Sequence, residues 1–169
     1  MKIGLIINID KSQAIVCAEQ IAKLMLENDA EILLNSCAKQ LLNLTEYEHD
    51  LNFFDTDEEV IKHSDVAVTV GGDGTIIHNA KFAANFKKPL IGVNMGRIGF
   101  VAGLEYYEIP ELKKLLKGDY KTQRRMLLNV ELKRGDDVRR FLAVNEAAIT
   151  RDVLKPIIDI SVFLNNDRI

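Results

Sequence analysis

Apolar positions along this chain fall into two regimes. Up to about residue 120, short continuous apolar runs alternate with longer stretches in which apolar residues recur every three or four positions. Lys2 to Asn8 (KIGLIIN) has the pattern of a buried strand, and Ser12 to Leu26 follows with Ile15, Ala18, Ile21, Ala22, Met25 and Leu26 on one helical face. Glu31 to Leu34 is again strand-like. Strand, helix and strand at this spacing predict a right-handed crossover and a parallel sheet covered on both faces. Asn35 to Phe54 carries a weak signal and reads as a short helix and a loop. Asp55 to His63 reads as a helix with acidic residues in its first turn, where the helix dipole favours them. The spacing then predicts a strand over Asp65 to Val70, a helix over Thr75 to Phe86 and a strand over Leu90 to Val93. Ile109 to Lys117 predicts a helix opened by Pro110 and closed by Gly118.

Helical periodicity stops beyond Tyr120. Met126 to Lys133, Val138 to Val144, Ala147 to Thr150 and Ile157 to Leu164 are short strand patterns, the first two joined by Gly135, Asp136 and Asp137. The expected architecture is an α/β domain over 1–120 with a Rossmann-like parallel sheet, followed over 121–169 by the first strands of an antiparallel, all-β sandwich domain. Asn165, Asn166 and Asp167 form a turn signal after a good strand, and only Arg168 and Ile169 follow. Because so short a sheet would leave an apolar edge open, the second domain reads as incomplete and the sequence as cut off.

Composition narrows the function mainly by exclusion. A chain of 169 residues, 47% hydrophobic with net charge −3, can support a good core and lacks the basic excess expected of a nucleic-acid or membrane-surface binder. No apolar run approaches the roughly 20 residues that span a bilayer, and no signal peptide is recognisable at the N-terminus. Cys17 and Cys37 lack metal-ligand or CxxC spacing, which suits buried reduced thiols in a cytoplasmic protein. His49, His63 and His78 are scattered and read as surface or partly buried side chains; only His78, on the helix leaving the glycine turn, lies within reach of a ligand there. Arg124, Arg125, Lys133, Arg134, Arg139 and Arg140 read as solvated charge around a hairpin.

Candidate chemistry concentrates at Gly71, Gly72, Asp73, Gly74 and Thr75, between a strand and a helix. Glycines there are expected to take positive φ and to let an anionic ligand approach the main chain, while N–H groups at the helix start offer donors to phosphate. A carboxylate beside phosphate is unfavourable unless it holds a metal or takes a proton. In a purely structural turn, Asp73 would instead cap the helix starting at Thr75. A second loop, Asn94 to Phe100 (NMGRIGF), follows the next strand, so two glycine-bearing loops can line one crevice at the C-terminal ends of a parallel sheet.

Taken together, GGDGT from Gly71, NMGRIGF from Asn94 and the pair Asn145-Glu146 within AVNEAAITR resemble the NAD kinase family in order and separation. GGDGT alone also resembles diacylglycerol and sphingosine kinases, but NMGRIGF followed by Asn-Glu is more specific. The resemblance implies that Asp73 accepts the proton of the 2′-hydroxyl on the adenosine ribose of NAD and that Gly74 shares in binding the dinucleotide. It implies further that Asn145 and Glu146 contact the adenosine part, that Phe100 lines the same pocket, and that His78 occupies a position often basic in the family. The family's later GDG-like and Thr-Pro-Thr-Gly-Ser-Thr-Ala-Tyr segments do not occur in this sequence. ATP or another phosphate donor, a divalent metal (Mg²⁺) carried in with the triphosphate, and a homodimer or homotetramer in the cytoplasm complete the expectation. A silent dinucleotide-binding fragment and a lipid kinase are the alternatives.

Overall fold

The N-terminal apolar run forms a strand over Lys2–Ile7 (β1), with Ile3 and Leu5 packed into one cluster and Ile6 into another. A period of two thus gives the strand two buried faces, as a central parallel strand requires. The computed structural model describes residues 1–95, 101–151 and 157–169. The helix Ser12–Leu26 (α1) has the predicted bounds, but its buried face runs through Ala14, Cys17, Ala18, Ile21, Ala22 and Met25, with Ile15 only half-buried. Strand Glu31–Asn35 (β2) follows, and Ser36–Ala38 and Thr45–Asp50 are 3₁₀ turns.

Leu51–Phe54 is a strand (β3) where a loop was expected. Four residues at a sheet edge carry no periodicity of their own; pairing of Ile32 to Asn35 with Leu51 to Phe54 decides their state. Helix Asp57–His63 (α2) is capped by Thr56, whose hydroxyl accepts from the Glu59 N–H at 3.2 Å. Strand Val66–Gly71 (β4), helix Asp73–Asn85 (α3), strand Leu90–Asn94 (β5) and the short strand Leu104–Glu105 (β6) complete a parallel sheet in the order β3-β2-β1-β4-β5-β6. Side chains of α1 pack in one cluster, those of α2 and α3 in the other, so helices cover both faces.

The helix expected from Ile109 begins earlier and in tighter form: Tyr106–Leu112 is 3₁₀, continuing as a short helix at Lys113–Leu116 (α4). Pro110 lacks the N–H that an α-helix starting at Tyr106 would need. Gly118 does close the segment, at φ +67, with Asp119 N–H donating back to Lys114 at 2.9 Å.

The chain divides into two compact units, Met1–Leu127 and Leu128–Ile169. In the second, Leu128–Arg134 (β7) and Asp137–Ala143 (β8) form an antiparallel hairpin closed by Gly135 and Asp136. Phe163–Leu164 (β9) and Asp167–Arg168 (β10) form a smaller one, turning at Asn165 and Asn166 with φ of 50° and 73°. The longer strand expected over Ile157 to Leu164 is present only at its end, and Ala147 to Thr150 is not strand. A β pattern becomes a strand only where a neighbour supplies the ladder, and β10 supplies two residues. Lys133 and Arg140 both pair with Glu131, at 2.9 and 3.0 Å, and Arg139 pairs with Asp137 at 3.0 Å, consistent with solvated surface charge.

Cys17 is buried against the sheet and Cys37 is exposed. Burial pushes the Cys17 thiol up to about 11, away from the reactive thiolate. A maleimide at neutral pH should therefore label native protein at Cys37 and reach Cys17 only after denaturation. Equal labelling rates by peptide mass analysis would contradict that packing.

Candidate functional site

The sheet order reverses direction between β1 and β4: the chain leaves β1 toward β2 on one side and leaves β4 toward β5 on the other. At such a point the loops after the two central strands diverge and leave a crevice at the strands' C-terminal ends. The glycine turn occupies it. β4 ends at Gly71, Gly72 is the N-cap in extended conformation (φ −94, ψ 179), and α3 begins at Asp73. The helix thus starts two residues earlier than the spacing predicts. Asp73 lies inside the first turn, and the capping role belongs to Gly72.

None of Gly71, Gly72 and Gly74 has positive φ, contrary to expectation. Their small size serves close approach instead. A Cβ at Gly71 would stand 2.7 Å from Thr75 Oγ1 and 2.9 Å from Thr75 Cβ, whereas one at Gly74 would meet nothing within 4 Å. Gly71 therefore lets α3 rest against its own strand, and Gly74 leaves open ground over the helix's first turn, where the Thr75 and Ile76 N–H groups donate to Gly72 O at 3.0 and 3.2 Å and that of Gly74 has no intrahelical acceptor. Asp73, which precedes Gly74, is half-buried.

Residues after β1 complete the crevice. Asn8 N–H donates to Val70 O at 3.0 Å, and Asn8 Nδ2 donates to Thr75 Oγ1 at 3.1 Å. The side chain of Asn8 thereby ties the end of β1 to the start of α3. Its main chain accepts from Lys11 N–H at 3.2 Å, which brings Lys11 to the same edge. Neither Asn8 nor Lys11 is marked by any local motif; a polar residue ending an apolar strand in the first βα unit is the only signal they carry. On the other flank, Asn94 pairs with Gly71 across β4 and β5, and Met95 N–H donates to Gly71 O at 2.9 Å. Asn94 is buried, and its Nδ2 donates to both carboxylate oxygens of Glu105 at 3.2 and 3.1 Å.

Of the predicted site residues, the first unit brings together Gly71, Gly72, Asp73, Gly74 and Thr75. His78 is exposed on α3, edge-on to Phe82 with ring centroids 5.3 Å apart. Phe100 lies outside the described residues, with the rest of the segment from Gly96. Asn145 and Glu146 belong to the second unit, exposed just after β8, with Asn145 Nδ2 3.5 Å from Glu146 Oε2. Among the described residues no group of three or more His, Cys, Asp and Glu side chains is placed to hold a metal ion, and no helix is long and apolar enough to cross a membrane.

Comparison with known proteins agrees with this geometry. The model of the ATP-NAD kinase N-terminal domain matches residues 3–120. The NAD kinase of Thermoanaerobacter sp. (strain X514) is 30% identical over 168 residues, covering 98% of this chain and 57% of that protein. The NAD kinase of Nitrosomonas europaea is 38% identical over 112 residues, covering 65% of this chain and 38% of that protein. The matches thus span 57% and 38% of the length of these two relatives. Yeast NADH kinase complexed with NADH superposes with a TM-score of 0.62 at 16% identity, covering 85% of this chain and 46% of that one; at that identity it establishes the fold alone. With the family model spanning both the glycine turn and the crossover that positions it, the chain belongs to the ATP-NAD kinase family and carries its N-terminal domain.

Proposed function

We propose that this chain takes part in phosphorylation of the 2′-hydroxyl on the adenosine ribose of NAD by ATP, giving NADP. The observation that carries the reading is the position of Asp73, half-buried in the first turn of α3 at the C-terminal ends of the central strands, inside the segment matched by the family model. The ribose oxygen attacks the terminal phosphorus, the bond from that phosphorus to the ADP oxygen breaks, and the hydroxyl proton passes to an Asp73 oxygen. Phosphoryl transfer has a loose transition state, so the protein's main tasks are positioning and charge compensation. The carboxylate takes the proton late, as the new P–O bond forms.

Gly71, Gly72, Gly74 and Thr75 form the phosphate-facing turn in this reading. His78, Phe100, Asn145 and Glu146 serve the dinucleotide. A divalent metal, Mg²⁺, would arrive with the triphosphate and neutralise its charge. The first turn of α3 is suited to such a ligand because Gly74 leaves it uncovered. Cytoplasmic location and a homodimer or homotetramer follow from the same family reading. Incubation of the protein with NAD, ATP and Mg²⁺ should yield a phosphate ester at the adenosine 2′ position by phosphorus NMR. Recovery of unmodified NAD alone would overturn the proposal.

Asn145→Ala and Glu146→Ala should each weaken NAD binding by about 1–3 kcal/mol, the range for losing one satisfied hydrogen bond to a buried ligand group. Both side chains are exposed at the end of a hairpin, so the fold should be unaffected. Unchanged NAD titrations in both variants would remove them from the site.

A further inference from the structure

Lys11 breaks a local rule. It is the N-cap of α1, with backbone at φ −115 and ψ 111, and makes no side-chain capping bond. N-caps favour Ser, Thr, Asp and Asn, and a cation at a helix N-terminus opposes the helix dipole. Departures of this kind concentrate where function holds a residue in place. The Lys11 ammonium stands over the glycine turn, 3.6 Å from the position a Cβ on Gly72 would take. Lys11 takes part in no ion pair among the described residues, as is also true of Lys39, Lys62 and Lys121. Asp10 precedes Lys11 and Asp73 follows Gly72 in sequence, in a chain of net charge −3. A bound phosphate chain would add further negative charge there.

We propose that Lys11 binds the polyphosphate chain of the phosphoryl donor, whether a nucleoside triphosphate or an inorganic polyphosphate carries it. The assignment rests on the phosphotransferase reading above. Lys11 approaches Gly72 from the loop after β1, and Gly74, two residues further along, leaves the first turn of α3 open. The ammonium compensates charge as a point cation, and Asn8 holds its main chain through the 3.2 Å bond from Lys11 N–H.

Calorimetric titration of the full chain with Mg-ATP and with Mg-tripolyphosphate tests this, using the parent, Lys11→Ala, Lys11→Arg and the exposed control Lys121→Ala. Lys11→Ala should weaken binding by about 10- to 30-fold, as expected for a charged hydrogen bond at an accessible site. Lys11→Arg should stay within about threefold of the parent, and Lys121→Ala and all NAD titrations should not change. Weakening of both titrants makes the phosphate chain the recognised feature, and weakening of ATP alone makes the nucleotide the source; either supports the assignment. Affinity within about twofold of the parent in Lys11→Ala, an equal loss in Lys121→Ala, or no binding of either titrant by the parent overturns it. Formation of NADP with Lys11→Ala at parental affinity would remove Lys11 and leave the kinase reading. Lys11-dependent binding without NADP formation would do the reverse.

Discussion

Asp73→Asn is expected to lower kcat for NADP formation by about 10²–10⁴-fold, equivalent to roughly 3–5 kcal/mol of barrier, while nucleotide binding stays equal or becomes tighter. Asparagine keeps the size and hydrogen-bonding capacity of aspartate but cannot take the ribose proton. Loss of a negative charge next to incoming phosphates relieves repulsion, which is why affinity should not fall. A structural role predicts a different outcome. Asp73 is in the first turn of α3 behind a Gly72 cap, where its charge interacts favourably with the helix dipole. Neutralising it should cost about 0.3–1 kcal/mol of stability and leave turnover intact. Steady-state kinetics with NAD and ATP, together with urea unfolding, separate the two. Turnover within about threefold of the parent would show that Asp73 is not the base.

The largest expected effect on stability lies where α3 meets β5. A Cβ added to the buried Gly92 would clash with Ile76 Cδ1 and stand 2.8 Å from its Cγ1, and Ile76 is 1% exposed. Gly92→Ala should therefore destabilise by about 1–3 kcal/mol through overpacking. Ile76→Ala should cost about 2–5 kcal/mol, combining lost burial with a cavity. Because the new methyl group would occupy space that Ile76 vacates, the double variant should be more stable than the two single effects added together, by about 0.5–3 kcal/mol. Ile76 lies three residues after Asp73 on the same helix. Gly92→Ala should then also reduce turnover by shifting the first turn of α3, an effect the second substitution should partly reverse. Additive stabilities in urea titrations would exclude this contact as the reason for glycine at position 92.

Much of the first unit was legible in the order of its residues. Two buried faces on Lys2–Ile7, a helical face from Ala18 to Leu26 and acidic residues opening α2 are local patterns with one stable solution each, which is to bury the apolar side against a neighbour. The glycine turn was legible for the same reason, since small residues between a strand and a helix mark a close approach. Its mechanism was not. Positive φ was the natural expectation for glycine, yet Gly71 is required by the distance to Thr75, a contact known only once α3 is placed on the sheet.

Elements that depend on a partner escaped the sequence. Leu51–Phe54 became a strand because β2 offered it a ladder, whereas of Ile157 to Leu164 only Phe163 and Leu164 are strand, paired with Arg168 and Asp167. The same distinction divides the candidate site. By itself the sequence determined the identity of the turn and the carboxylate it carries, because both reside in five consecutive residues. Only the tertiary structure decided that Asn8 and Lys11 share its edge, that Asn94 flanks Gly71, and that Gly74 faces open space. These residues meet because the parallel sheet places β1, β4 and β5 side by side with their C-terminal ends aligned, and strand order is set by packing across the whole domain rather than by any local stretch of chain.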